Sequence, residues 1–152
     1  MKIGLIADTH DHFDPRIPEL FAGVDHILHA GDICRPNIVQ ALEQIAPVTA
    51  ILGNNDQWLP YREMELVELD GLKILIRHIV RPANPQDSIH GAVERAQADL
   101  VVFGHTHIAY EQRFGRTLFV NPGYAGRQRF AQKRSVALCH TQPELRVEFL
   151  GL

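Results

Sequence analysis

Short apolar runs, separated by polar stretches rich in glycine and proline, set the rhythm of this chain. Ile3 to Ala7, Asp25 to His29 and Val48 to Leu52 are near-continuous apolar runs, the pattern of strands buried on both faces. Arg16 to Ala22 follows Pro15 and predicts a short helix. Asn37 to Ile45 follows Pro36 and carries Ile38, Val39, Leu42 and Ile45 at helical spacing. Strands and helices alternating in this way predict parallel pairing, with helices packed on the sheet faces.

Farther along, the pattern changes. Glu65 to Leu69 and Leu72 to His78 flank Asp70-Gly71, a pair that tolerates the positive φ of a two-residue turn, so a hairpin is expected. Gln86 to Ala98 predicts the last helix, with Ile89, Val93 and Ala96 on one face. Strands are then expected at Leu100 to Gly104, Tyr110 to Arg113, Thr117 to Val120, Ser135 to His140 and Leu145 to Leu150. Phe114-Gly115-Arg116 and Gln142-Pro143 read as turns. An α/β front half and a mostly antiparallel back half are satisfied together by two packed mixed β-sheets flanked by helices. No repeat, low-complexity tract or long polar linker breaks the 152 residues, so a single domain over 1–152 is expected.

Composition narrows the function classes. The apolar share of 45% and charged share of 22% are those of a globular chain. Lys+Arg is 15 against Asp+Glu 18, a net charge of −3, so no basic excess exists to coat a nucleic-acid backbone and general nucleic-acid binding is not expected. The longest apolar runs are about four residues, far short of the ~20 that span a bilayer. No signal peptide is visible. Two cysteines, Cys34 and Cys139, argue against a disulfide framework and for the cytoplasm. Nine histidines are the one odd count.

Their placement matters. Apolar runs end repeatedly in metal-capable side chains: Asp8-Thr9-His10, Gly31-Asp32, Gly53-Asn54-Asn55-Asp56, His78, and Gly104-His105-Thr106-His107. Taken singly, most of these read as turns, caps or a core histidine. His105 and His107 say more, because side chains at i and i+2 of an extended segment point to one side. In an open α/β sheet, loops at the carboxyl ends of the strands form the ligand site, so the clusters are expected to share one rim. Glycines 31, 53 and 104 are expected to let the backbone turn there. Carboxylate, amide and imidazole donors without a thiolate pair suit a divalent metal of intermediate hardness rather than a structural zinc.

These motifs, in this order, resemble the calcineurin-like metallophosphoesterase superfamily, and within it the small phosphodiesterase group of YfcE type. The eukaryotic retromer subunit of the same fold is also related. The resemblance implies a four-layer sandwich and a dinuclear metal centre: Asp8, His10 and His107 on one ion, Asn54, His78 and His105 on the other, Asp32 bridging them. Asp56 would orient a neighbouring ligand, and Asp32, Asn54 and Asp56 would form the catalytic set. Manganese is the first choice of metal, with nickel, cobalt, iron or zinc as alternatives. The implied activity is hydrolysis of a small phosphoester, a phosphodiester first, by a metal-bound hydroxide attacking phosphorus in line. A non-catalytic interaction scaffold and a single-metal phosphomonoesterase stand as alternatives, and a homo-oligomer is left open. The chain departs from the pattern at Asn55, where the wider superfamily has a histidine near the leaving group. It also reads Arg77-His78-Ile79-Val80 where relatives have Thr-His-Gly-His, and Tyr124 follows Asn121-Pro122-Gly123 in place of a serine.

Other polar residues have plainer readings. His12 is expected to be a solvated loop residue, with proton donation as the alternative. His29 is given no ligand role. His26, His90 and His140 read as structural or surface. Cys34 reads as a small buried side chain. Arg127, Arg129, Lys133 and Arg134 form the one basic run, a solvated loop or an anion-facing surface. Trp58 reads as buried, or as an aromatic wall.

Overall fold

The computed structural model describes residues 1–152. Its strands are β1 (Lys2–Ile6), β2 (His26–His29), β3 (Val48–Ala50), β4 (Met64–Leu69), β5 (Leu72–Arg77), β6 (Leu100–Val102), β7 (Tyr110–Phe114), β8 (Thr117–Asn121), β9 (Ser135–His140) and β10 (Arg146–Gly151). Its helices are α1 (Ile17–Leu20), α2 (Pro36–Glu43) and α3 (Ile89–Ala96). Two five-stranded sheets form, in the orders β10-β9-β1-β2-β3 and β4-β5-β6-β8-β7. Within them β1, β2 and β3 run parallel, as do β5, β6 and β8, while the remaining neighbours pair antiparallel. The expected pair of packed mixed sheets is what is found.

Alternation along the strands explains the layers. Ile3, Leu5, Leu28, Ala137 and Cys139 from one sheet meet Ile74, Ile76, Leu100, Val102 and Val120 from the other, making a sealed inter-sheet core. The opposite face of the first sheet presents Ile27, Val136 and Leu138 to Ile17 and Phe21 near α1 and to Ile38 and Leu42 of α2. Gly4 has no room for a side chain, because a Cβ there would sit 3.0 Å from the Phe21 ring. The outer face of the second sheet presents Leu75, Val101 and Phe119 to Ile89 and Ala92 of α3. The result is helix, sheet, sheet, helix.

The back half is mostly antiparallel, as expected, at β4-β5, β7-β8, β9-β10 and β1-β9. Two features go beyond that expectation: β5, β6 and β8 run parallel, and β9 and β10 return to complete the first sheet. Hydrophobic pattern marks strands but carries no information about which distant strand they join. The helices are also shorter than expected. The chain before α3 is held in turns by Asn84 and Asp87, whose side chains accept from the backbone N–H of Gln86 and Ile89. Gln97 ends α3 in the left-handed region. The Asp70-Gly71 hairpin forms as expected, both residues having positive φ.

Candidate metal centre

The parallel strands place their carboxyl ends at one rim, where the loops are tied together by backbone hydrogen bonds. Asp8 N donates to Gly31 O (3.0 Å), His10 N to Asp32 O (2.9 Å), and Gly104 N to His78 O (3.0 Å). The loop leaving β1 is thereby fixed to that leaving β2, and the loop leaving β5 to that leaving β6, before any side chain is considered. Holding them strains the backbone. Asp8, His10, Asp32, His105 and His107 all have φ between 44° and 73°, a region that costs a non-glycine residue about 1–2 kcal/mol each. Such strain persists only where surrounding contacts enforce it.

Of the three glycines expected to turn the chain, only Gly31 has positive φ. Gly53 and Gly104 are needed for space. A Cβ on Gly53 would collide with Asp32, and one on Gly104 would come within 2.8 Å of the Asp8 carboxylate.

Inside this frame the polar atoms converge. His107 Nε2 lies 3.3 Å from Asp8 Oδ1 and 3.3 Å from His10 Nε2. His10 Nε2 is 3.8 Å from Asp8 Oδ1 and 3.6 Å from Asp32 Oδ2. His78 Nε2 is 3.7 Å from Asp8 Oδ1 and 3.4 Å from Asp32 Oδ2. Two overlapping donor groups result: Asp8, His10 and His107, and Asp8, Asp32 and His78. His78 Nδ1 is 2.7 Å from the Ala30 carbonyl, to which it donates, and this turns Nε2 toward the carboxylates. Yet Asp8 Oδ1 and His78 Nε2 are buried with no hydrogen-bond partner. Native interiors rarely leave such atoms orphaned, and two of them facing each other across a ring of donors is a cradle for a cation. The donor set of carboxylates and imidazoles fits a divalent ion.

His105 and Asn54 stand at the edge of this knot. Both are exposed, with His105 Nδ1 3.0 Å from Asn54 Oδ1. The His105 ring lies edge-on to that of His78, with centroids 5.4 Å apart.

Electrostatics follow from burial. Burial pushes the Asp32 carboxyl upward, but His78 and the backbone and side chain of Asn55 outweigh it and hold it below the ordinary carboxylate range. Burial likewise opposes the charged form of His78, but Asp32, Asp8 and the Ala30 carbonyl together raise it above the usual imidazole value. Burial lowers His10, and the charges of His107 and Arg129 add to the effect against Asp32 and Asp8. His29 is fully buried and pushed down to about 3, chiefly by desolvation. It stays neutral, sits 3.0 Å from Thr9 Oγ1 and accepts from Gly31 N–H.

Several residues have roles that motif reading missed. Asn55 donates its backbone N–H (2.9 Å) and its side-chain amide (2.8 Å) to the two Asp32 oxygens. Asp56 touches none of the convergent side chains. It accepts the backbone N–H of Gly53 and Cys34, both at 2.7 Å, and so clamps the loops that carry Asn54 and Asp32. Tyr124 is buried and stacks on His107, centroids 4.6 Å apart. Asn121 donates to Gly104 O and Thr106 Oγ1, bracing the His105–His107 loop. A short amide gives no hint in sequence of which carboxylate it will reach.

Four plainer expectations are revised or refined. Arg134 is not a loop cation: it is buried, bonded to Gly126 O (2.6 Å) and to Asp14 (2.9 Å). Trp58 is fully exposed. Cys34 is half-buried, with Sγ 3.9 Å from His10 Nδ1, and its thiol is pushed up to about 11, mainly by burial. His12 is half-buried, its pKa lowered by burial and by Arg134 and Arg127, and it meets none of the convergent atoms through a hydrogen bond. His26, His90 and His140 serve the sheets and α3, against Thr49, Phe119 and Glu148 respectively.

Comparison with known proteins shows the family and the fold. The family model for the calcineurin-like phosphoesterase superfamily domain matches residues 1–144. A phosphodiesterase from Methanocaldococcus jannaschii is 32% identical over 143 residues, covering 81% of this chain and 83% of that protein. A probable metallophosphoesterase from Methanothermobacter thermautotrophicus is 30% identical, covering 81% and 76%. Among solved structures, an archaeal phosphodiesterase superposes with a TM-score of 0.82 at 25% identity over 100% of both chains. Vps29 from Entamoeba histolytica shares the fold, with a TM-score of 0.77 at 19% identity over 100% of this chain and 99% of that one. No helix is long and apolar enough to cross a membrane.

Proposed function

The chain belongs to the calcineurin-like phosphoesterase superfamily, and from that premise we propose that it is a phosphodiesterase with a dinuclear centre, working in the cytoplasm. Asp8, His10 and His107 would hold one divalent ion, Asn54, His78 and His105 would hold the second, and Asp32 would serve both. The observation that carries this reading is the pair of buried, partnerless atoms, Asp8 Oδ1 and His78 Nε2, at the middle of the ring of donors. Bound there, the two ions, manganese first, supply positive charge for the phosphoryl oxygens and lower the pKa of water for in-line attack on phosphorus.

The chain's own residues do the rest. Asn55 fixes both oxygens of Asp32, so the shared carboxylate cannot swing away. His78 is held in one tautomer by the Ala30 carbonyl. Tyr124 packs flat on His107 and keeps that ring in place. Asn55 is already engaged with Asp32 and an amide transfers no proton, so no side chain is assigned as the acid for the departing alcohol. Substrates with acidic leaving groups are therefore favoured.

A metal-by-substrate matrix tests the proposal. Metal-free protein is loaded with manganese, nickel, cobalt, iron or zinc and assayed against bis(p-nitrophenyl) phosphate, p-nitrophenyl phosphate and cyclic nucleotides. Diester hydrolysis that is lost on chelation and restored by manganese is expected. Monoester hydrolysis at one bound ion per chain, or no hydrolysis with any metal, overturns it.

A further inference from the structure

The segment between β8 and β9 contains a feature that folding does not explain. Phe130 is fully exposed and sits in the left-handed region at φ 47°. An aromatic ring in water gains nothing from burial, and the strained backbone beneath it adds a further cost. The loop is nonetheless built. Gln128 donates to the carbonyls of Phe130 and Gln132, both at 3.0 Å. Gln132 donates to the backbone carbonyl of His107 at 2.9 Å. The tip is therefore tied to the main chain of a residue of the candidate metal centre.

Charge is concentrated on the same loop. Arg127, Arg129 and Lys133 are exposed and take part in none of the chain's ion pairs, although the chain as a whole carries −3. Between Arg129–Lys133 on one side and His107–Ile108 on the other runs a cleft of about 720 Å³. That volume lies within the range of ligand-binding pockets. The other cleft beside the centre, between Asn54, His78, Glu63 and Arg77, is about 190 Å³, and its acid and base offset each other, whereas the first cleft carries two cations and no acid. A phosphodiester has two alcohol groups, and the two clefts differ in both size and charge.

We propose that the Phe130 cleft receives one alcohol of the diester and selects a planar aromatic group bearing a further negative charge, the chemistry of a nucleotide. The ring of Phe130 stacks on the planar group, while Arg129 and Lys133 face the extra anion. This substrate class rests on the phosphodiesterase reading above.

The test uses three diesters with one common leaving group: methyl p-nitrophenyl phosphate, thymidine 5′-(p-nitrophenyl phosphate), and the same compound carrying a 3′-phosphate. For the manganese-loaded protein, kcat/KM is expected to rise along the series. Phe130→Ala should cut the thymidine-over-methyl ratio about tenfold, and Phe130→Tyr should restore it. Arg129→Gln with Lys133→Gln should cut the gain from the 3′-phosphate by about fivefold, as added salt should in the unaltered protein. Titration calorimetry with thymidine 3′,5′-bisphosphate on the metal-free protein gives a readout that does not depend on turnover, and Phe130→Ala should weaken it. Hydrolysis of all three diesters at equal kcat/KM, or ratios and binding that ignore the loop variants, overturns the inference and leaves the phosphodiesterase reading standing. Bisphosphate binding that depends on Phe130, without hydrolysis of any diester under any metal, supports the cleft and overturns that reading instead.

Discussion

Asp8 and Asp14 lie in the same loop region after β1, and both are buried, yet their surroundings are opposite. Asp14 is fully paired. It accepts from Arg16 Nε (2.9 Å) and Nη2 (2.8 Å), from the backbone of Arg16 (3.0 Å), and from the buried Arg134 (2.9 Å), which in turn bonds Gly126 O. Asp8 instead faces Asp32 across three imidazoles, with one oxygen left without a partner. One carboxylate is satisfied by the fold, and the other waits for a charge the fold does not supply. A satisfied buried ion pair is a strut that pins β9 to the loop after β1. An unsatisfied one is chemistry, kept at the expense of stability.

The sharpest way to break that contrast is to neutralise one acid from each cluster. Asp32→Asn removes the anion between the two proposed cations, which then repel at close range. Losing a single preorganised electrostatic group typically costs about 10²–10³-fold, and kcat for diester hydrolysis should fall by that much. The melting temperature of the metal-free protein should fall less than in Asp14→Asn, since the new amide loses only one of the two Asn55 donors at the half-open edge of the cluster. Asp14→Asn should behave in the reverse sense. It leaves the buried Arg134 guanidinium without its counter-charge and turns one acceptor oxygen into an N–H donor, a loss of about 3 kcal/mol at the low end for a broken buried pair. Metal affinity should survive. Inactivation by Asp14→Asn in a protein of unchanged stability would dissolve the distinction.

The same pair makes a pH prediction. The side chain of Arg16 is the main cause holding the Asp14 carboxyl well below the ordinary carboxylate range, with its backbone N–H and Arg134 assisting against burial. A group with a depressed folded pKa stabilises fully above its unfolded value, about 3.9, and loses that contribution as pH falls through the folded one. The stability gap between the unaltered protein and Asp14→Asn should therefore be constant near neutrality and close below about pH 4. Chemical denaturation at a series of pH values measures it.

How far sequence reading reached differs between these clusters for physical reasons. The donors of the candidate centre were legible because each stands at the end of an apolar run, and strand ends in an α/β sheet share a rim. Asp14 and Arg134 are not, because 120 residues separate them and only the pairing of β9 with β1, at the opposite end of the chain, brings them together. In the sequence Asn55 stands out only for the histidine it replaces, whereas its two hydrogen bonds to Asp32 depend on a loop shape that no spacing reveals. Phe130 carries no signal in the sequence, because exposure and backbone strain become visible only once the loop is folded.

A smaller effect sharpens the comparison from the ligand side. Whatever binds the folded centre and not the unfolded chain stabilises by RT ln(1 + [L]/Kd), about 2.7 kcal/mol at one hundred times Kd. Manganese should raise the melting temperature of the unaltered protein and of Asp14→Asn by similar amounts, while giving Asp32→Asn a markedly smaller rise. Equal rises in all three proteins would place the metal elsewhere.

The smallest effect has the most telling sign. An orphaned buried acceptor costs about 1–3 kcal/mol relative to a satisfied one. Asp8 Oδ1 is such an acceptor, while Oδ2 already accepts from the backbone of His105 at 3.0 Å. Asp8→Asn keeps the shape and removes a negative charge from beside Asp32. It also offers an N–H where His78 Nε2 and His107 Nε2 lie 3.7 Å and 3.3 Å away. The positive φ of 54° at this position is tolerated by asparagine as by aspartate. The metal-free protein should therefore become more stable by about 1 kcal/mol, read as a higher denaturation midpoint at unchanged slope, even as metal binding collapses. A destabilised Asp8→Asn would mean that Asp8 is a strut of the same kind as Asp14, and the division of labour between the two acids would fail at its root.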